Sequence, residues 1–307
     1  MEQIDSLLIT GSNGFVGQSF LNYLFNLPKE KIPREIFLVN RNPPIRSYLN
    51  SPNKTSFYAV QADLTLPWKF NFKVSHILNL AADGSQSSYT NESAKNFVQI
   101  GKNLSDWIKL SKPKVLVHAS SGACFGLKPI SEGDLVSKEK SDFIKSRLQS
   151  EEYIFNSCNE EGVRSVVARL FTFIGPVLLN KSQYAISSFI NDAVNKGLIN
   201  VSGNKNTVRS YMHESTMSMW LYECLINPSA KNIVSIGSSD SITMEELAEY
   251  ISKSTGAVIN YMHPKAPGDQ YVAINAKEKE LLGLDEGVNW RQSVRECIDL
   301  LESRKSD

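Results

Sequence analysis

Cysteine is scarce in this sequence of 307 residues, and its four cysteines lie far apart. Cys124, Cys158, Cys224 and Cys297 form no CxxC pair, so neither a zinc ribbon nor a thioredoxin-like redox site is expected. Their flanking segments are mostly apolar, which is typical of reduced, buried thiols in a cytoplasmic protein. The four histidines show no metal-ligand spacing either, so we expect no bound metal.

An excess of charge of one sign and long apolar runs are also missing. Lys and Arg number 33 against 32 Asp and Glu, and the charges are mixed along the chain. A basic surface for nucleic acid or for a membrane is therefore not expected. No apolar run approaches the roughly 20 residues that span a bilayer, and residues 1–5 lack the basic and apolar parts of a signal peptide. These absences predict a cytoplasmic protein with no membrane or nucleic-acid partner.

Glycine is concentrated at the first turn of the chain. Residues 7–10 are an apolar run that leads into Gly11, Gly14 and Gly17, after which apolar residues recur at helical spacing to residue 25. Glycine lets a backbone turn sharply and approach a pyrophosphate, which binds the free amides and positive dipole end of a helix N-terminus. The turn predicts a dinucleotide site formed by Gly11, Asn13, Gly14, Phe15, Val16 and Gly17. The alternative is a glycine-rich connection without a ligand.

Strands and helices alternate through the first 175 residues. The pattern predicts strands over residues 35–40, 57–61, 74–80, 115–121 and 165–173, with helices over 94–110 and 143–158. Such alternation is typical of an α/β fold with a doubly wound parallel sheet and helices on both faces.

The rhythm changes beyond Pro176. Helices are predicted over residues 184–195, 244–254 and 290–303, and a short strand over 232–236. We predict one domain over residues 1–175, which also receives the segment around 207–237. A smaller C-terminal α/β lobe comprises residues 176–206 and 238–307.

The residues after the second strand indicate which dinucleotide binds. An acidic side chain there accepts a hydrogen bond from the ribose 2′-OH of NAD, whereas an arginine accommodates the 2′-phosphate of NADP. This chain has Asn40 and Arg41 and no acid, which favours NADP. If Arg41 is only a solvated loop residue, the cofactor is NAD.

Small and polar residues follow the next two strands. Ala81 and Ala82 end the fourth strand, where small side chains let a cofactor lie across the sheet edge. Asp63, followed by Leu64, ends the third strand. Its carboxylate could accept a hydrogen bond from the adenine amine, or it could cap a turn.

A series of motifs runs along nearly the whole chain. They are GSNGFVG at 11–17, the pair Ala81 and Ala82, HASSGACFG at 118–126, RLFTFIGP at 169–176, RSYMHES at 209–215, VSIGSSDSITMEELA at 234–248 and PGD at 267–269. In this order and spacing they resemble the extended short-chain dehydrogenase/reductase family, in particular its nucleotide-sugar epimerases, dehydratases and reductases. The resemblance implies that a Rossmann domain holds NADP or NAD and that the C-terminal lobe binds a nucleoside-diphosphate sugar.

The resemblance also implies roles for substrate-side residues. Arg209 falls where the family places a basic residue on the diphosphate, and its planar fork suits phosphate oxygens. Thr172 falls where many relatives carry an asparagine that touches the substrate. Asp83 and Ser85 are further candidates for substrate binding. Phe189 either contacts the nucleotide base or fills the core.

The catalytic positions depart from the family pattern. By resemblance, hydride transfer uses a serine or threonine together with a YxxxK pair. Ser121 is present, but Phe143 and Arg147 stand at the positions of the tyrosine and the lysine. Phenylalanine has no exchangeable proton, and general acid–base catalysis is worth about 10²–10⁴-fold in rate. Arg147 remains able to bind ribose hydroxyls. Gly122 and Ala123 replace the Asp-Glu pair of the family's 4,6-dehydratases, so dehydration is not expected.

Three explanations of these departures stay open. In the first, the protein is an epimerase or 4-ketoreductase of sugar nucleotides for cell-surface polysaccharides, and another group handles the proton. The candidate groups are Asp83, Ser85, Tyr89, Lys145 or a bound water. In the second, it is a catalytically silent NADP- or sugar-nucleotide-binding protein that acts as a sensor or partner subunit. In the third, Phe143 is an introduced substitution, which leaves Arg147 unexplained. The enzyme is favoured because the substrate-side motifs are intact.

The family also implies a homodimer through the helices predicted over 94–110 and 143–158. Four apolar residues on them either join that surface or fill the core: Trp107, Ile108, Ile154 and Phe155.

Two further groupings are interpreted as structural. Ser121 and His118 are not a hydrolase pair, because no G-x-S-x-G turn surrounds them. The acidic pair Glu151 and Glu152 is interpreted as part of a solvated helix face.

Overall fold

The computed structural model describes residues 3–43, 55–82, 90–126, 128–129, 137–181, 183–230, 232–262 and 268–306. Within these ranges we find no helix with the length and apolar character needed to cross a bilayer. The same ranges contain no group of three His, Cys, Asp or Glu side chains arranged to hold a metal ion.

The strands of the described residues are numbered in chain order. They are β1 (Ser6–Thr10), β2 (Glu35–Asn40), β3 (Ser56–Gln61), β4 (His76–Asn79), β5 (Val115–Ser121), β6 (Lys128–Pro129), β7 (Arg164–Leu170), β8 (Phe173–Ile174), β9 (Leu198–Val201), β10 (Val208–Ser210), β11 (Met212–His213), β12 (Asn232–Ile236), β13 (Ser241–Thr243), β14 (Val258–Tyr261) and β15 (Asp269–Tyr271).

The helices are numbered in the same way. They are α1 (Phe15–Phe25), α2 (Asn91–Ser111), α3 (Lys138–Glu161), α4 (Ala185–Lys196), α5 (Glu214–Ile226), α6 (Met244–Thr255), α7 (Ala276–Leu282) and α8 (Trp290–Ser306).

Seven parallel strands form the central sheet. Their order across it is β3-β2-β1-β4-β5-β7-β12. The chain runs outward from β1 to β3 and then returns to β4 on the other side of β1. Ligands of doubly wound folds bind at such a switch point, outside the carboxyl ends of the strands. The predicted α/β doubly wound parallel sheet is confirmed.

Residues on adjacent positions of β1 face opposite sides of the sheet, because side chains alternate along a strand. Leu7 and Ile9 join a core that includes Trp220 of α5. Leu8 joins a second core with Leu104 of α2. The sheet is therefore covered by helices on both faces.

Helices α2 and α3 pack very closely against each other. A Cβ at Gly101 would lie 2.1 Å from Ser150 Oγ, so only glycine allows this approach. Trp107, Ile108 and Ile154 are almost completely buried within the chain. Of the two interpretations given for them, a dimer surface or the core, the structure places these three residues in the core.

The remaining strands and helices form smaller units. Helices α4, α6 and α8 enclose a third core, with Ile190, Leu247 and Val294 inside it. Strands β13, β10, β15 and β6 form a four-stranded sheet in that order. In this sheet β10 pairs with β15 in parallel, which sets Arg209 opposite Tyr271. Strand β12 belongs to the central sheet, whereas the division of the chain into two domains stays a prediction.

Several predicted boundaries differ from the structure by a few residues, and two of these differences have a clear physical reason. The strand predicted over 165–173 is two strands, because the chain leaves the central sheet after Leu170. Phe171 donates its amide to the Ile236 carbonyl (3.0 Å), and β8 then pairs with β11. The helix predicted over 143–158 begins earlier, where Ser137 accepts a hydrogen bond from the Lys140 amide. Its first turn is polar, so apolar periodicity could not reveal it.

Candidate functional site

The glycine turn lies between β1 and α1, at the switch point of the sheet. Gly11 has a φ of +67°, and a Cβ there would meet the Leu80 carbonyl oxygen at 2.9 Å. A Cβ at Gly17 would lie 2.5 Å from Ser12 Cα, so α1 packs directly on the turn. Among the described residues, no side chain caps α1 at Gly14. The amides of the first helical turn thus remain available to an anionic ligand.

Two buried side chains hold the turn in shape. Thr10 Oγ1 donates to Asn79 Oδ1 (2.6 Å) and accepts the amides of Leu80 and Ala81, both at 3.1 Å. Asn40 Nδ2 donates to Ser12 Oγ (2.7 Å), while its Oδ1 accepts the Asn13 amide (3.1 Å). The turn is therefore organised by the protein itself.

Asn79 extends this network to His118. Because Thr10 uses Asn79 Oδ1, the amide nitrogen of Asn79 faces His118 Nδ1 at 2.7 Å. His118 Nδ1 is then the acceptor, and Nε2 carries the proton that it donates to Ser150 Oγ (3.3 Å). Burial lowers the pKa of His118 to about 4. A neutral histidine thus links the glycine turn to α3, in agreement with its structural interpretation.

Four residues at the ends of β2 and β3 are predicted to lie near the adenosine of a cofactor. Asn40 is buried beneath the turn, whereas Arg41 is exposed. Asp63 Oδ1 accepts hydrogen bonds from the Thr65 amide (2.9 Å) and hydroxyl (2.8 Å), which lower the pKa of Asp63. Two roles are predicted for Asp63, a hydrogen bond to adenine and a turn cap, and the structure shows the turn cap. Leu64 is buried, and its contact with a cofactor stays a prediction.

Small residues follow β4 where the cofactor is expected. Ala81 is buried and Ala82 is exposed. Asp83, Ser85 and Tyr89 lie outside the described residues.

Ser121 ends β5, two strands away from β1 at the same edge of the sheet. Its Oγ accepts the Ala123 amide (3.2 Å) and lies 3.2 Å from the phenol oxygen of Tyr271. Tyr271 donates in turn to the Leu170 carbonyl (3.0 Å). A hydroxyl and a phenol thus meet where two strands of the central sheet end. Sequence reasoning missed Tyr271, since it lies 150 residues from Ser121 and in no recognised motif.

Phe143 and Arg147 form one buried stack on α3. The Arg147 guanidinium carbon lies 3.3 Å from the centroid of the Phe97 ring and 4.5 Å from that of Phe143. A cation over aromatic faces is attracted by their quadrupoles. The two departures from the family pattern are therefore compatible with each other. Binding of a cofactor ribose by Arg147 stays a prediction.

Glu151 is buried, so its interpretation as part of a solvated helix face is wrong; Glu152 is exposed as expected. The Glu151 carboxylate accepts two hydrogen bonds from the Arg169 guanidinium (2.7 Å and 3.1 Å) and one from the Ser120 hydroxyl (2.5 Å). The signal that could have found it is its position four residues after Arg147, on the same helix face. This ion pair ties α3 to β5 and β7.

The substrate-side residues are more dispersed. Arg209 pairs with Asp269 at 2.6 Å, and Lys140 reaches the other oxygen of Asp269 at 3.2 Å. Thr172 donates its hydroxyl to the Ser210 carbonyl. Phe189 is buried in the core of the C-terminal helices, which favours the interpretation that it fills the core.

A doubly wound sheet with a glycine turn between its first strand and helix is an architecture typical of dinucleotide-binding proteins. The model of the NAD dependent epimerase/dehydratase family matches residues 7–237, and the chain belongs to this family. The family resemblance inferred from the motifs is confirmed, and so is the expectation of an NAD-dependent type of enzyme.

Three individual proteins illustrate the likeness. UDP-glucuronic acid decarboxylase 6 of Arabidopsis thaliana is 23% identical over 308 residues, covering 94% of this chain and 86% of that protein. The dTDP-4-dehydro-6-deoxyglucose reductase of Escherichia coli is 24% identical over 277 residues, covering 85% of each chain. The structure of MoeE5 in complex with UDP-glucuronic acid and NAD matches with a TM-score of 0.79 at 21% identity, over 98% of this chain and 100% of that one.

The His118 network predicts a loss of stability in acid. Folding holds His118 neutral, whereas the unfolded chain takes up a proton below its ordinary pKa of about 6.5. The free energy of unfolding should therefore fall as the pH drops from about 6.5 to about 4, by up to about 3 kcal/mol from this group. Urea unfolding at several pH values measures the loss.

Other groups also titrate in this range, so variants are needed. His118→Gln should flatten the pH dependence. His76→Gln should flatten it as well, because burial also lowers the pKa of His76 to about 4, so the two variants together separate the two contributions. If the slope for His118→Gln equals that of the unaltered protein, His118 does not carry the effect.

Proposed function

We propose that the protein is an NAD(P)-dependent enzyme that acts on a nucleoside-diphosphate sugar as a 4-ketoreductase or epimerase. The proposed role is the synthesis of sugars for cell-surface polysaccharides, in the cytoplasm. The observation that carries the proposal is the hydroxyl of Ser121, which lies at the same sheet edge as the glycine turn and touches a phenol at 3.2 Å. The active site is atypical, with Phe143 and Arg147 at the family's tyrosine and lysine positions.

The residues around the turn fit a dinucleotide. The uncapped N-terminus of α1 and the amides near Gly14 suit its pyrophosphate. Ala81 and Ala82 provide small side chains where the cofactor would cross the sheet edge. When bound, the dinucleotide would donate or accept the hydride. The chain's own part is to hold it and to handle the proton.

The substrate side supports a sugar nucleotide. Arg209 and Lys140 share a single carboxylate, Asp269, so this cluster carries an excess positive charge. Such a cluster suits a diphosphate, and Arg209 is proposed to bind it. The relatives named above act on UDP-glucuronic acid or a dTDP-linked keto sugar, as their names state. Gly122 and Ala123 argue against elimination of water.

Turnover and binding assays test the proposal. The protein is incubated with NADPH and dTDP-4-dehydro-6-deoxyglucose, and separately with NAD and UDP-glucose. Absorbance at the nicotinamide band follows reduction, and chromatography of the sugar nucleotides detects epimers. We expect turnover in at least one assay, and a loss of about 10²-fold or more in Ser121→Ala. Calorimetry that finds neither dinucleotide nor sugar nucleotide bound would contradict the proposal.

A silent binding protein is the second candidate. It is favoured by the buried stack of Arg147 on Phe97 and Phe143, which leaves no exchangeable proton at position 143. Binding of both ligands without turnover in either assay would support a sensor or partner subunit over an enzyme.

The dinucleotide preference is proposed to be NADP over NAD. Arg41 is exposed directly after β2, where its guanidinium could meet a 2′-phosphate. Asn40, the last residue of β2, is uncharged and is hydrogen-bonded to Ser12 beneath the turn, so it does not repel a phosphate. Arg41→Ala should weaken NADPH binding by about tenfold and leave NADH binding unchanged, because one charge-assisted contact is lost. Fluorescence titration measures both affinities.

Arg34→Ala is the matched control, since Arg34 is exposed and pairs with Asp5 away from the turn. A protein that binds NADH more tightly than NADPH, or an unchanged ratio in Arg41→Ala, would refute the preference.

A homodimer is proposed through α3. Ile144, Leu148 and Phe155 lie on one side of this helix, and each is at least partly exposed. Light scattering should give twice the mass of the chain. Leu148→Asp should give the monomer, because it places a charge in the apolar contact. Leu281→Asp, at an exposed leucine of α7, is the control and should stay dimeric. A monomeric unaltered protein would exclude the dimer.

A further inference from the structure

We propose that Tyr271 is the catalytic acid of this protein and supplies the proton that position 143 cannot. This inference rests on the proposed function, since it assigns a residue to the reduction of a keto sugar. It is independent of which sugar nucleotide is bound.

The phenol oxygen of Tyr271 is held by hydrogen bonds to the last residues of two strands of the central sheet. Tyr271 Oη lies 3.2 Å from Ser121 Oγ at the end of β5, and it donates to the carbonyl of Leu170 at the end of β7 (3.0 Å). The ring also packs on Phe171, with 4.8 Å between centroids. Tyr271 comes from β15 of the four-stranded sheet, so a strand outside the central sheet brings the phenol to Ser121.

The direction of the hydrogen bonds follows from the single proton of the phenol. Since Tyr271 donates to Leu170, Ser121 must donate its own hydroxyl proton to Tyr271 Oη. Ser121 Oγ in turn accepts the Ala123 amide. Both protons are thus used within the protein, and a sugar carbonyl oxygen bound beside Ser121 would take the Tyr271 proton in exchange for the Leu170 carbonyl.

The chemistry balances for the reduction of a ketone. When bound, a reduced nicotinamide cofactor would supply the hydride to the carbonyl carbon, and Tyr271 gives its proton to the carbonyl oxygen. The O–H bond of the phenol breaks, an O–H bond forms on the sugar, and the electron pair stays on the phenolate. A phenol has a pKa of about 10 and is a far stronger acid than an alcohol, so the transfer is favourable. Solvent returns the proton, because Tyr271 is partly exposed.

A cation lies near the charge that develops. The guanidinium carbon of Arg209 is 6.0 Å from the centroid of the Tyr271 ring. Asp269 holds that guanidinium at 2.6 Å, so the cation is fixed beside the phenol.

Other groups near Ser121 in the described part of the chain are less suitable. His118 is buried and hydrogen-bonded through both ring nitrogens. Glu151 is bound by Arg169 and Ser120. Lys145, a candidate from the sequence, is exposed on α3.

Tyr271→Phe tests the assignment, because it removes the phenol oxygen and keeps the ring on Phe171. With NADPH and dTDP-4-dehydro-6-deoxyglucose, kcat should fall about 10²–10⁴-fold. Calorimetry should find the Kd of the sugar nucleotide changed by no more than about threefold, since the lost interaction acts in the transition state. Tyr261→Phe, at an exposed tyrosine of β14, is the matched control and should keep the unaltered kcat and Kd.

A rescue experiment separates a lost proton from a lost structural contact. Phe143→Tyr and Arg147→Lys, combined with Tyr271→Phe, return a phenol and its lysine to the family positions. We expect this triple variant to recover at least about tenfold in kcat over Tyr271→Phe alone.

The outcomes distinguish the inference from the proposed function. If Tyr271→Phe keeps the kcat of the unaltered protein, the inference is wrong and the proposed function stands. If its Kd rises as much as kcat falls, Tyr271 serves binding and the inference is again wrong. If the unaltered protein binds the sugar nucleotide but reduces none of it, reduction and the inference both fail.

Discussion

The hydrogen-bond chain from Thr10 through Asn79 and His118 to Ser150 is the interaction on which the site depends. It crosses from β1 to β4 and β5 and ends on α3, so it joins the glycine turn to the helix that carries Phe143 and Arg147. Each member is buried, and an unmade hydrogen bond there would leave a polar group without solvent. The network therefore stabilises the observed relative placement of these elements.

A second constraint is the contact between Ser121 and Tyr271. The carboxyl ends of β5 and β7 and one strand of the smaller sheet meet there, and β10 sets Arg209 beside the same phenol. The proposed proton donor and the proposed diphosphate ligand thus occupy paired positions on neighbouring strands. A shift of that sheet would displace both groups together.

Phe143 and Arg147, at the positions where the resemblance predicts a tyrosine and a lysine, fit each other in three dimensions. Phe143, Arg147 and Phe97 form one stack, and Glu151 pairs with Arg169 one turn further along α3. A phenylalanine next to a guanidinium loses nothing by lacking a hydroxyl, because the cation interacts with the ring face. If Tyr271 supplies the proton, as we propose, position 143 needs no hydroxyl and can pack against Arg147.

Prediction from sequence succeeded where a local pattern decides the structure. The glycine spacing after β1 and the apolar runs of the central strands were sufficient for the doubly wound sheet, since turn geometry and strand burial are local properties. It failed at Glu151, where a charged residue suggested solvent and a distant arginine allowed burial. It left two alternatives open at Trp107, Ile108 and Ile154, because a core and an exposed apolar interface have the same composition.

The sequence by itself determined the family, the glycine turn, the fold class and the absence of a tyrosine at position 143. Each of these depends on residue type and spacing along the chain. Only the tertiary structure decided that His118 is neutral, that Glu151 is paired and that a phenol 150 residues away reaches Ser121. Those properties depend on contacts between distant segments, and spacing along a chain does not specify which segments meet.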